Sequence, residues 1–152
     1  MTSTSTGHPF PLGRFAWMAI LASLAFPATS LAAAPYSKEQ AVHGRTVYNQ
    51  SCAACHGGKL QGGAGPALRG KKFSGSLSYG NMTASQLFDF MSKHMPKNEP
   101  GSLPEKAYWD VFAYMLCENG FKAGKTALDA DSVGNVTLLP LPGKPAGACH
   151  SP

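Results

Sequence analysis

Charge is scarce in this chain: Asp, Glu, Lys and Arg make up 14% of its 152 residues, and only eight side chains are acidic. No Lys/Arg-rich block is present. Beyond Arg14 the basic residues are scattered from Lys38 to Lys144. A net charge of +5 spread this thinly excludes a basic footprint for nucleic acid and suits mild steering toward acidic protein surfaces. Long apolar runs are missing too. The stretch Phe15 to Phe26 covers 12 residues, against the roughly 20 that a spanning helix needs. Period-two alternation is absent, so no segment reads as a strand and the fold is expected to be all-α.

The short apolar run has a different use. Arg14 precedes it, and small residues follow at Ala28, Ser30 and Ala32, Ala33 and Ala34. Residues 1–34 are therefore expected to be a cleavable signal peptide, cut after Ala32 or Ala34, with export to the periplasm and no stable membrane span in the mature chain. Losing Arg14 leaves a charge of about +4 on a domain of about 118 residues, enough for one modest core.

Cysteine is also sparse: Cys52, Cys55, Cys117 and Cys149. The first two stand in Cys52-Ala53-Ala54-Cys55-His56, the C-x-x-C-H pattern of c-type haem attachment. Each thiol adds to one vinyl group of the porphyrin, the two-residue gap matches the spacing of those vinyls, and the following His supplies an imidazole to the iron. A thioredoxin-like pair would need a βαβ setting, which is missing. A zinc site would need a second close Cys/His pair, and only Cys149-His150 offers one. The buried group would complete a core that is small for its domain.

A Gly-rich loop, Gly62 to Gly70, follows and contains Gly65-Pro66-Ala67-Leu68. On its own it reads as a turn. For a second axial ligand the residues leave Met82, Met91, Met95 and Met115 open, with His94 beside them. Met115 and Met91 fall in helical stretches and read as packing residues. Met82 sits in a loop, and Met95 stands before Pro96 at a helix end.

With C-x-x-C-H, G-P-x-L and Met95-Pro96 in place, the sequence resembles class I cytochromes c. The resemblance implies that the Pro66 carbonyl accepts the His56 ring N–H, that Leu68 packs on the haem, and that Met95, 39 residues after His56, is the second ligand. It implies a class I cytochrome c fold, three main helices around one covalent haem c. A narrower likeness covers roughly Ser37 to Leu128. The run M-P…P-G-S-L…Y…V-x-A-Y-x-L…N-G-F-x-A-G, from Met95 to Gly124, is similar to cytochrome c domains that partner periplasmic quinoprotein dehydrogenases.

Three helices are predicted. The first runs from about Ser37 to Gln50, with a Ser37/Gln40 capping box and Ala41, Gly44 and Tyr48 on one face. The second runs from about Thr83 to Lys93, with a Thr83/Gln86 box and Leu87, Phe90 and Met91 as its apolar stripe. The third runs from about Pro104 to Glu118, capped by Ser102 with Glu105 and stopped by Asn119-Gly120. The resemblance implies that Gly44 admits the ring of Tyr114, with Tyr48 and Val111 as neighbours. His43 is expected to face solvent.

Domain 35–128 is followed by a Pro/Gly-rich segment, 129–152, read as a tail draped over the domain or a flexible end. In an oxidising compartment Cys117 and Cys149 would most simply pair. The other reading makes Cys117 a small buried residue and Cys149 an exposed or intermolecular thiol. Lys59, Lys71, Lys72, Lys93 and Lys97 flank the haem-binding segments, either as a basic ring for an acidic partner or as ordinary surface. The expected function is single-electron transfer from a dehydrogenase to a terminal oxidase or another cytochrome, without catalysis of its own. The alternative is a haem enzyme or gas-binding protein with an open sixth position.

Overall fold

The computed structural model describes residues 1–4, 6, 7 and 34–150. Arg14, the apolar run and the cleavage-site residues up to Ala33 lie outside the described residues. Among the described residues five helices follow in order: α1 (Lys38–Ser51), α2 (Ala53–His56), α3 (Gly70–Tyr79), α4 (Ala84–His94) and α5 (Glu105–Glu118), with 3-10 turns at Val133–Asn135 and Gly147–Cys149. Among the described residues there is no strand, only an isolated bridge between Ser37 and Gly124. No helix among them is long and apolar enough to cross a membrane.

The three predicted helices appear within a residue or two, and their ends correct two details. The Ser37 hydroxyl accepts the Gln40 amide N–H as expected. The Gln40 side chain does not return to cap it. It donates to the Leu128 carbonyl and accepts the Leu128 N–H, both at 2.8 Å, tying the start of α1 to the segment beyond α5. The Thr83/Gln86 box is complete. Ser102 does not cap α5. Pro104 holds that position, with φ −58°, and its carbonyl takes the Ala107 and Tyr108 N–H groups. Glu105 is thereby the first helical residue, where a carboxylate suits the helix dipole, and it accepts from Trp109 Nε1 at 3.3 Å.

Beyond its first turn helix α5 is buried at every residue from Tyr108 to Glu118, as a helix enclosed on all sides must be. Both α1 and α4 pack against it. On the α4 side Phe88 and Trp109 stack with ring planes 7° apart. On the α1 side Gly44 meets the backbone of α5: a Cβ there would fall 1.8 Å from the Asp110 carbonyl oxygen. Gly44 therefore admits the Asp110–Val111 peptide and not the Tyr114 ring. That ring lies one turn on, tilted against Tyr48 with centroids 5.4 Å apart. His43 is not simply solvated either. Its Nδ1 lies 2.6 Å from the buried Asp110 carboxylate, which also takes the Lys106 ammonium at 2.7 Å.

Residues beyond 128 bury Val133, Leu138 and Cys149. The Ala146 N–H donates to the Cys117 carbonyl and the Gly143 N–H to that of Asn119, and a Cys117–Cys149 disulfide locks the segment onto α5. The bridge closes a loop of 32 residues, worth about 3 to 4 kcal/mol on a chain-entropy estimate. The Cys117→Ala/Cys149→Ala variant is expected to lose about that much stability in urea unfolding, with helicity retained.

Alkali is expected to loosen the same core. Burial, then the Glu118 charge, pushes the Tyr114 hydroxyl up to about 12, and burial raises Tyr36 and Tyr48 as well. An unfolded phenol ionises near pH 10 while the folded one stays neutral, so the unfolded chain holds fewer protons and stability falls from about pH 10 to 12. Urea midpoints at pH 8, 10 and 11 should decline, and Tyr114→Phe should flatten the decline.

Candidate functional site

The site begins where α1 ends. The Cys52 N–H still bonds back to the Tyr48 carbonyl, and the chain then turns into the single-turn helix α2 that carries Cys55 and His56. The Gly-rich loop is stitched onto this turn at three points. Gly62 N–H donates to the His56 carbonyl at 2.8 Å, Gly65 N–H to the Cys55 carbonyl at 2.9 Å, and the His56 ring to the Pro66 carbonyl. Gly65 has to be glycine because its Cα lies over the imidazole: a Cβ would stand 2.8 Å from ring carbon Cε1.

His56 is buried, and its Nδ1 lies 2.7 Å from the Pro66 carbonyl oxygen. A carbonyl only accepts, so Nδ1 carries the proton and Nε2 is left with its lone pair. The loop is held from α5 as well. Asn119 Nδ2 donates to the Leu68 carbonyl at 2.9 Å, and its Oδ1 accepts the Gly70 N–H at 3.0 Å. Arg69 pairs with the buried Glu118 at 3.3 Å. Leu68 is partly buried against the core.

These residues open onto a cleft of about 1040 Å³, solvent at its mouth included. Cys52, Cys55, His56, Pro66, Leu68 and Met95 all line it, so these six residues are brought to one place. The apolar wall is completed by residues that sequence reasoning placed elsewhere or passed over: Phe73 and Leu77 from α3, Leu87, Phe90 and Met91 from α4, Val111 and Met115 from α5. Met82, Met91, Met95 and Met115 share the cleft, so lining it does not by itself single out Met95. What separates Met95 is its place at the C-cap of α4, where the chain leaves the helix in extended conformation. His94 is not in the wall. Its exposed ring stands against Phe90, centroids 4.9 Å apart.

The donor set fits an iron porphyrin. Two unpaired thiols, partly and fully exposed, stand at the cleft beside an imidazole whose tautomer is fixed with Nε2 free, and a thioether lines the same apolar space. Cys52 is poorly suited to thiol exchange. Burial, then Cys55, pushes the Cys52 thiol up to about 11, whereas a thioredoxin-like pair needs a lowered thiol pKa. Cys149 and His150 gather with Glu118, but Cys149 is spent in the disulfide.

Of the five lysines flanking these segments, all are exposed. Lys97 reaches the cleft, and Lys93 pairs with Asp89 at 2.6 Å.

No curated protein and no solved structure matches the chain. The family described as cytochrome c oxidase, cbb3-type, subunit III matches residues 39–115, half of the sequence, from α1 through both cysteines, His56 and Met95 into α5. That family carries covalent haem c for electron transfer, the chemistry that this donor set suits. The chain belongs to the cytochrome c family, as a haem-based electron carrier.

Proposed function

We propose that the chain is an exported monohaem cytochrome, attached through Cys52 and Cys55, with His56 and Met95 as axial ligands, that carries single electrons from a dehydrogenase to a terminal oxidase or another cytochrome. The observation that carries this reading is the hydrogen bond from His56 Nδ1 to Pro66, which leaves Nε2 free beside two thiols in an apolar cleft. Haem c, when bound, supplies a one-electron ferric/ferrous couple. The chain's own work is to orient, exclude water and dock. Pro66 keeps the imidazole basic and fixes its plane. Phe73, Leu77, Leu87 and Val111 exclude water, which disfavours extra charge in the cleft and so the oxidised state.

The Cys117–Cys149 disulfide supports export, since such bonds persist in oxidising compartments. Charge supports an acidic partner. The stretch 57–98, which forms much of the cleft, carries six cations (Lys59, Arg69, Lys71, Lys72, Lys93, Lys97) against one acid, Asp89. A quinoprotein dehydrogenase as donor rests on the Met95-to-Gly124 run, and an oxidase as acceptor on the family description.

The absorption spectrum of the purified protein, wild type and Met95→Ala, tests the reading. A reduced c-type spectrum is expected, with a weak far-red sulfur-to-iron band in the oxidised wild type that vanishes in the variant, which also gains carbon monoxide binding when reduced. A wild type without that band, binding carbon monoxide readily, would instead be an enzyme or gas-binding protein with an open sixth position.

A further inference from the structure

We propose that Tyr108 is a positioning residue for the sixth ligand, its phenol clasping together the two ends of the loop that carries Met95. The inference rests on the reading of Met95 as an axial ligand.

Helix α4 ends at His94 with Met95 as its C-cap, and the carbonyl of a capping residue has no partner within its own helix. The Tyr108 hydroxyl donates to that carbonyl at 2.6 Å and accepts the Leu103 N–H at 3.3 Å. One oxygen thus joins residue 95 to residue 103. Gly101 N–H donates to the same carbonyl at 3.2 Å, closing the loop on itself. Between these points the loop is surface: Lys97, Asn98, Glu99 and Pro100 are exposed. Tyr108 is buried and rises from α5, so the clasp is anchored in the core while the segment it holds is not.

The consequence for the site follows from the weakness of a thioether as a ligand. Nothing but the loop's own position keeps a neutral sulfur at the iron against a better donor from solution. An outside ligand binds the fraction of molecules in which the loop has swung away, and its apparent affinity scales with that fraction. Removing the hydroxyl breaks both of its hydrogen bonds; the Met95 carbonyl keeps the Gly101 N–H, and the Leu103 N–H is stranded. With the net loss nearer one bond than two, the open fraction is expected to rise on the order of fivefold.

The test is imidazole binding to the oxidised holoprotein, followed by loss of the far-red band, in wild type, Tyr108→Phe, Tyr36→Phe and Met95→Ala. Tyr36 is the control for mere softening: it too is buried, and its hydroxyl donates to the Phe121 carbonyl at 2.5 Å, away from the cleft. The expected result is that Tyr108→Phe keeps the band without imidazole but loses it at about fivefold lower imidazole. Tyr36→Phe should lower the melting temperature and leave the imidazole titration at the wild-type position. Wild-type imidazole affinity in Tyr108→Phe overturns the inference, as does an equal gain in Tyr36→Phe. A far-red band that survives Met95→Ala overturns the ligand assignment itself, a separate failure.

Discussion

Gly44→Ala is expected to cost about 3 kcal/mol or more in urea unfolding, although alanine is by about 1 kcal/mol the better helix residue. The added methyl would sit 1.8 Å from the Asp110 carbonyl oxygen, 2.3 Å from its carbon and 2.9 Å from the Val111 nitrogen. All three atoms belong to the backbone of α5, the most enclosed element of the fold, and no rotamer change can move them. Helix α1 must instead back away along its whole crossing, loosening Tyr48 from Tyr114 and stretching the His43–Asp110 contact. Because α1 runs directly into Cys52, the displacement reaches the turn that carries Cys55 and His56. Gly75 is the opposite case. It lies in α3 with open space where its Cβ would be, so Gly75→Ala should stabilise, by up to about 1 kcal/mol. Equal effects of the two substitutions would mean that α1 and α5 do not touch through their backbones.

Why Gly44 could be found in the sequence but its partner could not is instructive. A glycine inside an amphipathic helix announces a close approach, and helical spacing puts it on the face of Ala41 and Tyr48. Which atoms approach depends on the rotation of α5 about its axis. That helix is apolar nearly all round, so its periodicity does not fix the rotation. The same blurring hid Met91 and Met115: each is buried, as its helical position implied, yet each also faces the cleft, because in a domain this small the core and the cofactor's wall are one surface. Helix α3 escaped notice for another reason. Its sequence is rich in Gly and Ser, which have weak intrinsic preference, and only Phe73 and Leu77, four apart, betray a buried face.

The cleft residues supplied by C-x-x-C-H, G-P-x-L and Met-Pro were legible, but only the first motif has a local reason. For Cys52, Cys55 and His56 that reason is the match of two thiols to two vinyls. Pro66, Leu68 and Met95 were legible only through the resemblance to class I cytochromes c, because alone Gly65-Pro66 reads as a turn and four methionines stay open. The links made by Gln40, Asn119 and Tyr108 were not legible. They join segments 88, 51 and 13 residues apart, and nothing near any of them in the chain marks the partner.

Replacing both Cys52 and Cys55 by serine is expected to have the largest effect of all: a chain that retains no haem after extraction with acidified acetone, and whose fold is lost around the cleft but not throughout. The reason lies in what lines that space. Leu68, Phe73, Leu77, Leu87, Met91 and Met115 present their apolar surface to it. Each is worth about 1.5 to 3 kcal/mol when fully buried, so leaving several of them against water removes stability comparable to the roughly 5–15 kcal/mol that holds an ordinary domain together. Helices α3 and α4 form two walls of the cleft and should lose fixed packing. The α1–α5 crossing should persist, since it depends on Gly44, the Tyr48–Tyr114 contact and the disulfide, none of which needs an occupant. Far-UV circular dichroism should therefore fall only in part while the near-UV signal collapses and a hydrophobic dye binds, the pattern of a molten state. Each single serine variant keeps one attachment point and should retain haem that resists extraction. A double variant that is haem-free yet unfolds cooperatively, with native near-UV signal, would mean that the cleft is sealed by the chain itself and needs no occupant, whereas one that keeps haem resistant to extraction would overturn attachment through Cys52 and Cys55.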